Sequence, residues 1–340
     1  MRKIRIAQIG LNRFSHSAEV FLTLAAHSYI FEVVGYAVVE DERETCAEKI
    51  KGLANYHEIT VEEILNDPSI EAVTIETDEI HLTKYAQMAA DHGKHIHMEK
   101  PGSQNLADFE KLIDTVRRNG TVFHVGYMYR YNPYVKEAIK RVKNGEIGKI
   151  FATEAHMSRL DGVTVREWLN SFKGGMMFYL GCHLIDLVLQ VQGCPQNVIA
   201  LNRSTGLGGI ISEDYGLAML EYPTGFSMVR TAATEVGGFD RRQFVIMGEH
   251  GTIEINPLEG FPTKEEQADT RWAQYVVEID RINDKNGKRV DNKTKSNTFG
   301  RYDDMMVAFA SMVRGDIENP YSLEYEFMLY KTILKCCGVN

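Results

Sequence analysis

The chain has 340 residues, 44% of them hydrophobic and 25% charged, and a formal net charge of −9. The length exceeds one ordinary core and predicts two domains. The composition is that of a soluble globular protein, and the acidic balance argues against nucleic acid as a partner, which calls for a basic face. Five cysteines follow no zinc spacing, so no metal site is expected, and adjacent Cys336-Cys337 are poorly placed for a mutual disulfide. Reduced thiols in the cytoplasm are the simplest expectation. Neither a signal peptide nor an apolar run of about 18 residues able to span a membrane is expected.

In chain order, an apolar strand over residues 4–9 ends at Gly10 and a helix pattern follows over 15–26. Strands are expected over 31–39, 72–75, 95–98 and 121–125. They alternate with helices over 45–51, 61–66, 81–91 and 105–118. Thr60 with Glu63 three residues on is a capping-box signature. This alternation predicts a parallel α/β sheet covered on both faces, over residues 1–125. After Gly126 the texture changes. A helix over 132–144 precedes strand patterns over 150–157, 198–202, 215–222, 225–231, 243–248 and 252–255, with one long helix over 180–192. Residues 262–300 are polar, with Asn286-Gly287 as a hairpin turn after a strand over 275–282. Helices over 302–314 and 323–336 close the chain. The expectation for 126–340 is a second α/β domain on an open-faced, largely antiparallel sheet. Alternation between Tyr215 and Thr231 leaves an apolar face, which predicts an interface and a homodimer or homotetramer.

Gly10-Leu11-Asn12-Arg13-Phe14-Ser15 stands where a dinucleotide fingerprint G-x-G-x-x-G/A would lie. Gly10 permits the tight turn, Asn12 replaces the second glycine, and Ser15 is a small third residue. Asn tolerates positive φ better than most residues, and amides at a helix start favour phosphate. The ribose-binding acid expected near residue 38 is Val38, but Glu40 and Asp41 follow at once. Three acids in Glu40-Asp41-Glu42 disfavour a 2′-phosphate and favour NAD, while Arg13 and Arg43 keep NADP open. In Met98-Glu99-Lys100-Pro101, Lys100 follows a strand and so lies on the carboxyl edge of the sheet, where open α/β folds bind ligands. Pro101 keeps Lys100 out of helical geometry, and a lysine so placed can help a hydroxyl lose its proton. On the 180–192 helix, Leu180, Leu184, Leu187, Val188 and Val191 form the apolar face. Tyr179, His183, Asp186 and Gln190 share another stripe. His183 suits general acid–base work with Asp186 orienting its ring; a buried, satisfied His–Asp pair is the alternative.

These motifs are joined by Arg130-Tyr131-Asn132-Pro133, Gly145-Glu146-Ile147-Gly148, Gly174-Gly175, Glu213-Asp214-Tyr215 and Gly248-Glu249-His250-Gly251-Thr252. Together the chain resembles the glucose–fructose oxidoreductase / inositol dehydrogenase / rhizopine catabolism family over nearly its whole length. The resemblance implies a Rossmann domain, an open-faced α/β domain whose sheet mediates oligomers, and a sugar, polyol or related substrate oxidised or reduced by NAD(P). It implies cofactor contact at Gly10, Asn12, Arg13, Phe14 and Glu40, at Thr77, which stands in Glu76-Thr77-Asp78 where the family's Thr-Pro-Asn loop has its proline, at His81, which fits the family, and at Glu99 and Lys100. Lys100 and His183 are the expected catalytic pair. Arg130, Tyr131, Arg166, Tyr179, Asp186 and His183 are expected at the substrate. The family's aspartate four residues before the histidine is here Tyr179, a phenol whose ordinary pKa of about 10 keeps it from acting as a carboxylate base. Two other readings stay open: a glycosidase that retains NAD and oxidises its substrate transiently, and a non-catalytic dinucleotide- or sugar-binding regulator.

Overall fold

The computed structural model describes residues 2–263 and 272–339; the rest of the polar stretch 262–300, residues 264–271, lies outside the described residues. The chain divides into two compact units. The first comprises the residues up to Tyr127 together with Tyr302–Phe327, and the second comprises Met128–Arg301 and the segment from Met328 onward.

In the first unit, strands β1 (Ile4–Ile9), β2 (Phe31–Ala37), β3 (Ala72–Ile75), β4 (His95–Met98) and β5 (Phe123–Val125) form one parallel sheet in the order β2-β1-β3-β4-β5. Ile4, Ile6, Ile9, Val73, Ile75, Ile96, Met98, Phe123 and Val125 are all buried, as expected of strands covered on both faces. Thr60 and Glu63 form the capping box that the spacing predicts. The expected helix over 45–51 is two short ones, Glu42–Thr45 and Ala47–Gly52, which meet at Cys46. A boundary after residue 125 does not capture one long-range return. Helix Asp303–Arg314 brings Phe309 onto the rings of His97 and His124, at centroid distances of 5.8 and 5.4 Å. Asn319 Nδ2 donates to the Phe123 carbonyl at 2.8 Å.

The second unit is built on eight strands: β6 (Ile150–Ser158), β7 (Asn197–Ala200), β8 (Tyr215–Tyr222), β9 (Gly225–Ala232), β10 (Gln243–Gly248), β11 (Gly251–Ile255), β13 (Val277–Asn283) and β14 (Arg289–Lys295), with the two-residue β12 (Ala273–Gln274) and β15 (Phe299–Gly300) paired apart. Their order is β14-β13-β11-β10-β6-β9-β8-β7, antiparallel except where β6 runs beside β9. Every second side chain of β8 is buried, and Leu217, Met219 and Glu221 face outward. Gly287 (φ +77°) makes the expected hairpin turn. The return strand β14 is exposed at every position and has no apolar alternation to announce it.

The long helix runs Cys182–Gln192, but it is entered through a wide π-helical turn, Met177–Gly181. Just upstream, Gly175 has φ +40°, and a Cβ there would collide with the Glu213 carbonyl. Only glycine tolerates both the left-handed backbone and that approach.

Candidate functional site

The first unit carries the dinucleotide turn. Gly10 has φ +94°, and a Cβ on it would lie 2.6 Å from Thr77 Cβ, so β1 closes on the β3 loop only because this residue has no side chain. Asn12 N donates to the Glu76 carbonyl at 2.7 Å. The Asn12 carboxamide is wholly buried. Its Oδ1 accepts from the amides of Phe14 (2.8 Å) and Ser15 (3.2 Å), and its Nδ2 donates to Thr77 O (3.2 Å) and Glu79 Oε2 (2.9 Å). Lys49 reaches the same loop, donating to Ser15 O at 2.8 Å and Ser17 Oγ at 3.1 Å; burial lowers its pKa. Arg13 lies 3.6 Å from Asp78 and over the Phe14 ring.

Of the three acids after β2, Glu42 folds inward to accept from the Val39 amide at 3.0 Å, and burial raises its pKa. Asp41 is exposed. Glu40 takes φ +50°, and its Oε1 accepts from Lys84 Nζ (2.5 Å) and Tyr85 OH (2.9 Å), with His81 Nδ1 at 3.8 Å. The bond from Lys84, more than any other neighbour, holds the Glu40 carboxyl below its usual pKa. Lys100 is buried past the end of β4, its Nζ 3.4 Å from Glu99 Oε1.

Two acids that sequence reasoning left aside lie behind this edge. Glu76 and Glu79 are both buried; burial raises the Glu76 carboxyl well above its ordinary range and pushes Glu79 to about 7. The signal for Glu76 was an acid directly after the apolar strand Ala72–Ile75.

In the second unit, Arg130 and Tyr131 end a 3₁₀ turn, Met128–Tyr131. Arg130, expected at the substrate, is fully buried. Its Nε and Nη2 donate to the Asp186 carboxylate at 2.8–3.1 Å. Gln190 Nε2 adds a bond to Asp186 at 2.9 Å, so the carboxylate expected to orient His183 is held by an arginine and an amide. Arg166 is likewise bound to a carboxylate, Asp214, at 2.7 and 2.9 Å from Nη2 and Nε, and it donates to Leu207 O. The π turn sends the neighbouring site residues to different rings. Tyr179 stands edge-on to Trp168 (5.0 Å) and His183 edge-on to Tyr129 (5.3 Å). Tyr129 OH donates to Glu259 at 2.7 Å, and Glu259 also binds Arg242 (2.6 Å) and Arg301. Tyr129, Arg242 and Glu259 escaped the sequence reading because only the tertiary fold joins residues so far apart.

The first unit fits a dinucleotide. It has a glycine-closed turn at a helix start, and an ionised glutamate at the end of the next strand suits ribose hydroxyls. The Asn12 Oδ1 rests on two loop amides and marks an acceptor position there. Fold and site together define a nicotinamide-dinucleotide-binding protein. The chain belongs to the GFO/IDH/MocA oxidoreductase family. Residues 4–127 match its NAD-binding Rossmann fold and residues 135–254 its C-terminal domain.

Among relatives, the scyllo-inositol 2-dehydrogenase (NAD(+)) of Bacillus subtilis is 30% identical over 206 residues, which is 58% of this chain and 58% of that protein, under two thirds of its length. The myo-inositol 2-dehydrogenase of Thermotoga maritima is 23% identical over 262 residues, 74% of each chain. The crystal structure of aldose-aldose oxidoreductase from Caulobacter crescentus superposes with a TM-score of 0.76, covering 99% of this chain and 98% of that one at 17% identity. That last likeness speaks for the fold alone. Among the described residues, no helix is long and apolar enough to cross a membrane and no His/Cys/Asp/Glu group has the arrangement of a metal site.

Proposed function

We propose that the chain is an NAD-dependent oxidoreductase acting on a hydroxyl-bearing carbon of a sugar or polyol, with inositols as the first candidates on the strength of its relatives. The observation that carries this reading is the Gly10 turn and Lys100 on the carboxyl edge of one parallel sheet. The bound dinucleotide supplies the hydride acceptor or donor. Gly10, the turn it closes and Glu40 hold it, with Asn12, Arg13, Phe14, Thr77, His81 and Glu99 around them. Lys100 and His183 share the hydroxyl proton, Lys100 as its first acceptor and His183 as the group that hydrogen-bonds the reacting oxygen. Tyr179 and Tyr131 contact substrate. Arg130, Arg166 and Asp186 act as positioning residues, because each is engaged by a buried partner of opposite charge.

The test is the near-ultraviolet absorbance of reduced nicotinamide when the purified chain and NAD⁺ are offered scyllo-inositol, myo-inositol and a panel of aldoses. Growth of the band with any one supports the reading. A free sugar released without net reduction favours the NAD-retaining glycosidase, and ligand binding without turnover on any of them favours the regulator. We further propose a cytoplasmic homodimer or homotetramer formed through the open face of the eight-stranded sheet. There Met219 of β8, Met228 of β9 and Val245 of β10 lie in neighbouring rows around Glu154 of β6. A monomer by light scattering at micromolar concentration would overturn the assembly.

A further inference from the structure

Behind Lys100, three titratable side chains run in a line through the core of the first unit. Glu76 Oε1 lies 3.6 Å from His97 Nε2, and neither atom has a hydrogen-bond partner among the described residues. His97 Nδ1 lies 2.7 Å from His124 Nδ1. Strand register sets the line. His97 of β4 pairs with Thr74 of β3 on one side and His124 of β5 on the other. Glu76, His97 and His124 are 1%, 0% and 1% exposed, so water makes almost no direct contact with the line.

Two ring nitrogens this close need one proton between them, one atom donating and the other accepting. Two arrangements satisfy the line. In the emptied one, His124 Nδ1–H donates to His97 Nδ1, and His97 Nε2–H faces a Glu76 carboxylate. In the filled one, a protonated Glu76 faces a bare His97 Nε2, and His97 Nδ1–H donates to His124. They differ by one proton and by the tautomer of both rings. The groups around Glu76 are the carboxylates of Glu99 and Glu79 and the ammoniums of Lys49 and Lys100, with Asp78 beyond Glu79. Burial outweighs them all. It raises Glu76 far up, toward the filled arrangement, and takes His97 down to about 3, which keeps that ring neutral in both.

We propose that Glu76, His97 and His124 form a one-proton store at the carboxyl edge of the sheet, emptied when oxidised nicotinamide is bound and refilled when it is reduced. This rests on the dinucleotide reading above. The oxidised ring carries a positive charge that reduction removes, and a nearby positive charge favours the carboxylate form. Oxidising a CH–OH group sends one hydride to the dinucleotide and leaves one proton. The Lys100 ammonium passes one of its own protons to the emptied store and takes the hydroxyl proton in its place, so the store ends filled and Lys100 ends as it began.

Calorimetric titration of the whole chain with NAD⁺ and with NADH, each in two buffers of different ionisation enthalpy at neutral pH, reads the protons exchanged. NAD⁺ binding should release up to one proton more than NADH binding, and Glu76→Gln should abolish the difference. Should that variant fail to fold, infrared difference spectra of the two wild-type complexes take its place. They should show a protonated-carboxyl band present with NADH and lost with NAD⁺. Equal proton counts for the two forms, an unequal count that persists in a folded Glu76→Gln chain, or the absence of that band would overturn the store. Failure to bind either form would defeat the cofactor reading itself, and the store with it.

Discussion

In the second unit, Asp186 meets Arg130, Asp214 meets Arg166, and Glu259 meets Arg242 and Arg301. In the first unit, Glu76 and Glu79 pair with no arginine among the described residues; Glu79 bonds the neutral Asn12 and Glu76 faces a histidine. Burying a charge is costly unless it is paired or its pKa shifts until it is neutral. Asp186, Asp214 and Glu259 take the first route, and Glu76 and Glu79 take the second. Paired charges fix geometry. Neutralised acids leave geometry softer and keep a proton in reserve. On the reading proposed above, the arginine-held acids of the second unit position and the neutralised acids of the first store a proton, while His183 of the second unit shares the hydroxyl proton with Lys100.

The contrast is sharpest in stability. Asp186→Ala strands the buried Arg130 guanidinium and should cost about 3–5 kcal/mol of unfolding free energy. Glu79→Gln, which replaces an acid with a neutral isostere, should cost well under half of that. Denaturant titration of both variants measures the difference, and equal losses would erase the distinction.

Next in size is turnover. Lys100→Ala and His183→Ala should each lower it on the order of 10²-fold, the usual scale for a general acid–base group, with dinucleotide affinity nearly unchanged. Tyr179→Phe should cost less if the hydroxyl only contacts substrate, and as much as His183→Ala if it relays a proton. Steady-state kinetics on a confirmed substrate decides, and wild-type rates in all three variants would remove these residues from the chemistry.

A smaller effect is pH dependence. The Glu79 pKa is raised on folding from 4.5 to about 7. The folded chain therefore holds a proton that the unfolded chain has lost between those values, and the stabilisation is present below the lower value and disappears as pH rises through the upper. His97, pushed down to about 3, acts in the opposite sense as pH falls below its ordinary range. The Glu79 contribution is thus read as wild type minus Glu79→Gln in thermal melts across that window, and a flat difference would refute it.

Smallest of all is cofactor choice. NAD should bind several-fold tighter than NADP, and Glu40→Ala should narrow the gap. Calorimetry showing tighter NADP, lost on Arg13→Ala, would reverse the assignment.

Much of the frame was legible because its signals are local. The five parallel strands are short apolar runs between helix patterns, and Thr60 with Glu63 forms a cap within four residues. The π turn was not legible. Residues 177–181 are all buried, so no polar face sets a phase from which an extra residue in the turn would show. The proton line was invisible for another reason. His97 and His124 belong to strands whose pairing is fixed only by the folded sheet, and each alone reads as a polar residue in an apolar run. Arg130 and Arg166 show the limit from the other side. Sequence can place an arginine near a site but cannot say which carboxylate has claimed it.

Strand β14 has a consequence for how the eight-stranded sheet meets other copies of itself. It is the last strand on its side, and it carries Arg289, Lys293 and Lys295 against one acid, Asp291, all exposed. An unpaired strand edge is a template for accretion, and a row of basic side chains is a common natural defence against it. Two such rims brought together would face like charge along their length. The basic rim at β14 thus works against growth of the sheet into an endless β-structure.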